Sequence, residues 1–231
     1  MADSGQSTAT LRLTVGDLSI AHPITVPSGP VPPTAVLPAL QGLVNATVDA
    51  AEAGKAISCR KGCGACCRQL VPISRTEGEA LLALVEAMPE DRRVAVQARF
   101  ADAEAAITAA GLAERGERSD REMSVAYFAL GVACPFLEDE SCSIHPDRPL
   151  VCREYLVTSP AELCAGLAQK GVTPVPVPKL SLAARRLQDE HDTWFPLAML
   201  MAWSRKARQP AKQRPGTEWV QRFLQRLSSS R

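Results

Sequence analysis

Aromatic side chains are scarce: five Phe, three Trp and two Tyr in 231 residues. Any core must therefore be packed mainly from aliphatic residues and alanine. No charge excess points to nucleic acid, since 26 Lys and Arg stand against 25 Asp and Glu. The basic run Arg205 to Arg214 could touch RNA or an acidic partner, but its prolines read more simply as a solvated linker. The longest apolar stretch, Trp194 to Trp203, is about half of what a membrane span requires. The opening M-A-D-S-G-Q-S-T-A-T has neither a basic nor an apolar block, so no signal peptide is expected. Also missing are a glycine-rich phosphate loop, a dinucleotide fingerprint, H-E-x-x-H and a serine triad motif. An unaided hydrolase is not expected.

What is present in excess is helical patterning. Leu11 to Val26 alternates in β-branched residues around Gly16-Asp17 and predicts a small hairpin. His22 within it has no cysteine partner in the pattern and reads as a residue packing the hairpin or facing solvent. After the stiff Pro27 to Pro33 connector, Leu40, Leu43, Val44, Thr47 and Val48 form a helical stripe ending near Gly54. Ser74 and Glu77 have capping-box spacing, opening a helix that turns Leu81, Leu82 and Val85 inward. Another helix is expected from Glu90 to Ala110, with Val94, Ala98, Ala101, Ala105 and Ile107 on its packing face. A short one should span Glu122 to Leu130, and Ser159 should cap a turn carrying Cys164. Two last helices are expected at Pro196 to Ala207 and Thr217 to Leu227, the latter docking Trp219, Val220, Phe223, Leu224 and Leu227 on the body. The expected fold is mainly α with a small N-terminal β hairpin and irregular cysteine-rich loops supported by helices. Three segments follow: 1–33, the β element and connector; 34–170, a cysteine-cluster metal-binding domain; and 171–231, a Pro-rich stretch with C-terminal helices.

The eight cysteines fall in two islands. Cys59, Cys63, Cys66 and Cys67 lie in S-C-R-K-G-C-G-A-C-C-R-Q, with Gly62 and Gly64 either side of Cys63. Cys134, Cys142 and Cys152 follow after a gap at 68–133 that contains none, and Cys164 trails them. Glycine lets the backbone bend sharply between thiolates. In an extended segment the doublet Cys66-Cys67 would point its sulfurs apart, so the two are expected to differ in role unless a tight turn joins them. In a reducing cytoplasm, the expected compartment, such a set reads as a metal or catalytic framework rather than disulfides. Four disulfides would suit an exported chain, and ordinary buried thiols compete most strongly at Cys164. All eight cysteines are candidate ligands of an iron–sulfur cluster, with zinc as the alternative. Arg60, Lys61, Arg68, Arg148 and Arg153 would offset surplus thiolate charge. His145 could replace a thiolate but fits better outside the ligand set, and Tyr155 with Arg153 could hydrogen-bond a substrate the residues do not name.

These residues resemble the YkgJ-like cysteine-cluster family of zinc- or iron-chelating proteins. The resemblance runs over about residues 58 to 156: C-x₃-C-x₂-C-C at Cys59, Cys63, Cys66 and Cys67, then Cys134-Pro135-Phe136-Leu137, Cys142, Arg148-Pro149 and Cys152-Arg153. Family members commonly carry an aromatic residue where this chain has His145, and Cys164 lies beyond the shared pattern. The resemblance implies metal or iron–sulfur binding. Through its relation to flagellin lysine methylases it also implies modification chemistry on a protein partner, without naming a nucleophile.

Overall fold

The computed structural model describes residues 5–114, 116–166, 171–188, 193–206 and 209–229. The expected helix end at Ala207 and the segment boundary at Lys170 lie outside the described residues. The alternating start of the chain pairs as an antiparallel hairpin, β1 (Gln6–Val15) with β2 (Leu18–Pro27). Its two-residue loop places Gly16 at φ +60°, the position a tight primed turn reserves for glycine. β2 turns Ile24 and Val26 onto α1 (Leu37–Glu52), whose buried residues include all five of the expected stripe. The His22 ring lies so close to Gly42 of α1 that a Cβ there would stand 3.1 Å from Nε2. The hairpin-packing reading of His22 is therefore correct.

The fold is mostly α-helical behind this hairpin. α2 (Arg75–Glu86) starts at the expected capping box: Ser74 Oγ accepts the Glu77 N–H at 3.2 Å, and Glu77 Oε2 accepts the Ser74 N–H at 2.9 Å. α3 (Glu90–Ala109) forms where expected and buries Ile107 as expected, but the rest of its inward face is different. Val96, Phe100, Ala103 and Ile107 are buried, while Val94 is 58% exposed and Ala98, Ala101 and Ala105 face outward. Phe100 decides the rotation. Its ring meets Phe136 edge to face at 5.4 Å between centroids, and burying one large ring outweighs burying several methyls. α4 (Asp120–Ala129) begins two residues before the expected Glu122, because Ser119 and Glu122 make a second capping box.

The remaining helices are short: α5 (Leu150–Arg153), α6 (Ser181–Arg185) and α7 (Leu200–Ser204), before the amphipathic α8 (Gly216–Ser228). α8 buries Trp219, Val220 and Phe223, with Leu224 and Leu227 half-buried against the same core. The Trp219 indole N–H donates to the Val31 carbonyl at 2.9 Å. One core thus joins the hairpin, α1, α6 and α8. A second, of Ile73, Leu81, Val85, Val96, Phe100, Phe136, Ile144 and Leu200, underlies the cysteine loops and has Cys134 and Cys142 packed against it. Among the described residues no helix is long and apolar enough to cross a membrane.

Candidate metal centre

The first island is a loop closed by one 3₁₀ turn. Gly62 sits at φ +86°, where a side chain would be strained, and this bend returns the chain toward Cys63. Residues Ala65–Arg68 form the 3₁₀ turn that carries the doublet. Such a tight turn is the exception to extended alternation, and it brings the doublet together rather than apart. The Cys67 thiol hydrogen-bonds the Cys66 sulfur, which lowers Cys66 to about 7 and pushes Cys67 well up.

Gly64 is needed for close approach rather than for its dihedral angles. A Cβ on it would lie 2.9 Å from Leu137 Cδ1 and would collide with the Glu140 carboxylate. Both contacts belong to the second island, which enters as a hairpin of β3 (Leu137–Glu138) and β4 (Ser141–Cys142). Its two-residue loop holds Asp139 at φ +48° and Glu140 at +53°, a conformation that disfavours residues other than glycine or asparagine. The strained Glu140 is held bidentately by Arg68, at 2.6 and 2.8 Å. Gly62 N–H donates to Ser141 Oγ at 3.1 Å, and Cys134 N–H to the Cys67 carbonyl at 2.7 Å. Far apart in sequence, the islands are stitched together by backbone and ion pair.

Downstream residues close the other side. Ser58 N–H donates to the Val157 carbonyl at 2.9 Å, and Arg60 pairs with Glu162 at 3.2 Å. The 3₁₀ turn Ala161–Ala165, which buries Cys164, packs on the turn bearing Cys66 and Cys67. Ser159 does not cap it as expected. Its Oγ instead accepts the Thr173 N–H at 3.1 Å, beside the Val157–Pro174 bridge, because so short a turn leaves few amides to cap.

All eight cysteines are free. Cys59 and Cys66 are exposed, Cys164 is buried, and the other five are half-buried. Burial raises Cys59, Cys134, Cys142, Cys152 and Cys164, with Cys134 pushed up to about 12, and neighbouring sulfurs raise them further. The thiolates are costly here without a cation, which is the condition under which metal binding releases protons and stabilises a fold. Arg148 is the arginine that faces the sulfurs most widely, lowering Cys59, Cys66 and Cys142. Arg153 also bears on Cys142, but its guanidinium is largely engaged by the carbonyls of Arg148 and Pro146 and by Asn45. His145 Nε2 accepts from Arg148, so its ring orients that arginine.

Sequence reasoning missed Gln69, Glu140 and Ser141. Only the close packing of the islands reveals them. Among the described residues, the buried atoms that make no hydrogen bond of ordinary geometry include Gln69 Nε2, Arg148 Nε and Tyr155 Oη beside the cysteines. All three can donate, and Tyr155 faces both Gln69 and Cys164. A donor shell suits electron-rich sulfur, and the ligand atoms available are thiols. In chemistry, then, the residues fit a thiophilic metal or an iron–sulfur core. Among the described residues no three Cys, His, Asp or Glu side chains converge as a finished ligand set.

Residues 58–171 match the CxxCxxCC family, described as a putative zinc- or iron-chelating domain. This segment is a CxxCxxCC domain. No curated protein and no solved structure matches the chain. The CxxCxxCC domain takes in all eight cysteines, the Arg68–Glu140 pair and the 3₁₀ turns Ala65–Arg68 and Ala161–Ala165.

Proposed function

We propose that the CxxCxxCC domain holds an iron–sulfur cluster or related iron site through its cysteines. In this reading it works in a reducing cytoplasm, in a redox reaction or in the modification of a protein partner. The observation supporting it is the meeting of two sulfur islands as free thiols under a shell of donors, Arg148, Gln69 and Tyr155. When bound, such a group supplies one-electron chemistry. The chain's own contribution is to present Cys59, Cys63, Cys66, Cys67, Cys134, Cys142, Cys152 and Cys164 as ligands. Arg148 lowers the cost of charge on Cys59, Cys66 and Cys142, and half-burial limits water around Cys63, Cys67, Cys134, Cys142 and Cys152.

Zinc is the second reading, favoured by the tight β3–β4 hairpin bearing Cys142 and the turn bearing Cys66 and Cys67. Paired thiols on short turns suit closed tetrahedral sites, and the domain would then be a structural or interaction module without catalysis. Anaerobic purification followed by iron, zinc and acid-labile sulfide analysis tests both. Iron with sulfide, and visible absorbance that bleaches in air, is the expected result. Stoichiometric zinc in a colourless protein supports the second reading, and neither metal nor sulfide overturns both.

A further inference from the structure

The N-terminal hairpin has two edges, and only one of them is blunted. Its two-residue loop makes Val15–Leu18 a hydrogen-bonded pair, so bonded pairs recur at Leu13–Ile20, Leu11–His22 and Ala9–Ile24. The Ser28 N–H, which donates to the Gly5 carbonyl at 3.0 Å, keeps the same alternation. Pro23 and Pro27 of β2 fall in the unbonded pairs, so they remove donors from the outer edge of that strand. β1 has no proline, glycine or lysine and a single charge, Arg12. Its outward main-chain groups belong to Thr8, Thr10, Arg12 and Thr14, all exposed, and among the described residues β1 pairs with no strand but β2. A ten-residue edge left open in this way is a template for another strand. The core side of the hairpin is also unevenly covered. Ile24 and Val26 of β2 are buried, whereas Leu11, Leu13 and Val15 of β1 are half-buried and Ala9 is exposed.

We propose that β1 is a self-association edge, pairing antiparallel with β1 of a second copy so that Leu11 lies opposite Leu11 and two hairpins make one four-stranded sheet. In this register the outward groups meet each other: Thr8 pairs with Thr14 of the second copy, and Thr10 with its Arg12. On the core side Ala9 meets Leu13 and Ser7 meets Val15, small against large. The charges are compatible as well, since each Arg12 faces a threonine, whereas a pair centred on Arg12 would oppose two like charges. The two-fold axis stands perpendicular to the sheet, so the half-buried rows of both copies fall on one face and form a continuous apolar layer. In each copy α1 and α8 pack against β2, which becomes an outer strand of the new sheet, away from the meeting edge. A strand of another protein would have to match these positions; β1 itself already does.

Sedimentation equilibrium of the full-length chain, kept reduced and anaerobic so that no disulfide joins two copies, is the test. A reversible monomer–dimer equilibrium is expected. Thr10 is exposed, so substituting it probes the pairing without disturbing the core. Thr10→Lys sets a cation against Arg12 twice across the two-fold axis and should weaken the dimer several-fold. Thr10→Glu sets an anion there and should tighten it by a similar factor. Adding Arg12→Thr to Thr10→Lys should restore association. Thr10→Pro removes an outward donor from each copy and should weaken the dimer by about tenfold or more. Circular dichroism identifies any variant that does not fold, and should Thr10→Pro disrupt the hairpin, the Lys and Glu variants still decide. A chain that stays monomeric up to millimolar concentration overturns the proposal. So does a dimer that Thr10→Lys and Thr10→Glu leave unchanged or shift in the same direction, since such a dimer uses another face or another register.

Discussion

The Glu77 carboxylate, buried at the start of α2, accepts the backbone N–H of Leu150 at 2.8 Å, and so holds the first turn of the helix that bears Cys152. Its other oxygen accepts both the N–H and the Oγ–H of Ser74. A residue legible in the sequence as a helix cap is therefore also a strut of the cysteine loops.

Glu77→Ala leaves buried amides without acceptors and is expected to destabilise the metal-free chain by about 3 kcal/mol. Glu77→Gln keeps one carbonyl acceptor and should lose roughly half as much. Urea denaturation of both variants checks this, and metal content should fall in the same order. Equal stability of Glu77→Ala and wild type would remove the strut.

Glu140 concerns function against stability. Its left-handed backbone is strained, while its ion pair with Arg68 is largely exposed and contributes little to folding. Glu140→Gly is expected to raise the melting temperature of the metal-free chain, since glycine adopts that conformation freely. It should also weaken metal retention several-fold, because Arg68 no longer ties the two islands. A variant that loses stability and keeps its metal would place the value of Glu140 in folding alone.

Phe100 and Val94 separate two rotations of α3. Phe100→Ala should cost about 3 to 5 kcal/mol, the usual range for a fully buried aromatic ring. Val94→Ala should change stability by no more than about 0.5 kcal/mol. The reverse ranking, measured by denaturant unfolding, would restore the face expected from the alanine spacing.

That contrast shows where the sequence was readable. α1 and α8 have strong apolar stripes, and Leu40 to Val48 and Trp219 to Phe223 are buried as their periodicity implies. α3 is rich in alanine, so its inward face was set by a partner, Phe136, that no local pattern could announce. The cysteine islands were legible by spacing and by glycine. Their stitching was not, because Gly64 against Leu137 and Glu140, and Gly62 against Ser141, are long-range contacts of ordinary residue types. The doublet turned on backbone conformation: alternation holds for extended backbone, and Ala65–Arg68 is a 3₁₀ turn, the alternative that the sequence left open.

The doublet also makes Cys66 the reactive thiol of the metal-free chain. It is exposed and lowered to about 7 from the ordinary 9.0, chiefly by the hydrogen bond from Cys67. About half is thiolate at pH 7, against about 1% for an unperturbed thiol. Cys59 is also exposed, but desolvation of its sulfur, with Cys66 and Cys63 beside it, raises it, so it should lag. Brief iodoacetamide labelling of the chelated, reduced protein at pH 7 should therefore modify Cys66 first. Because the thiolate is the reacting form, the rate should climb with pH and level off above 7. Cys67→Ala removes the donor, moving the midpoint upward and slowing labelling at pH 7 by about tenfold or more. Should Cys59 be labelled first, or should Cys67→Ala react at the wild-type rate, the doublet would not be coupled through its thiols.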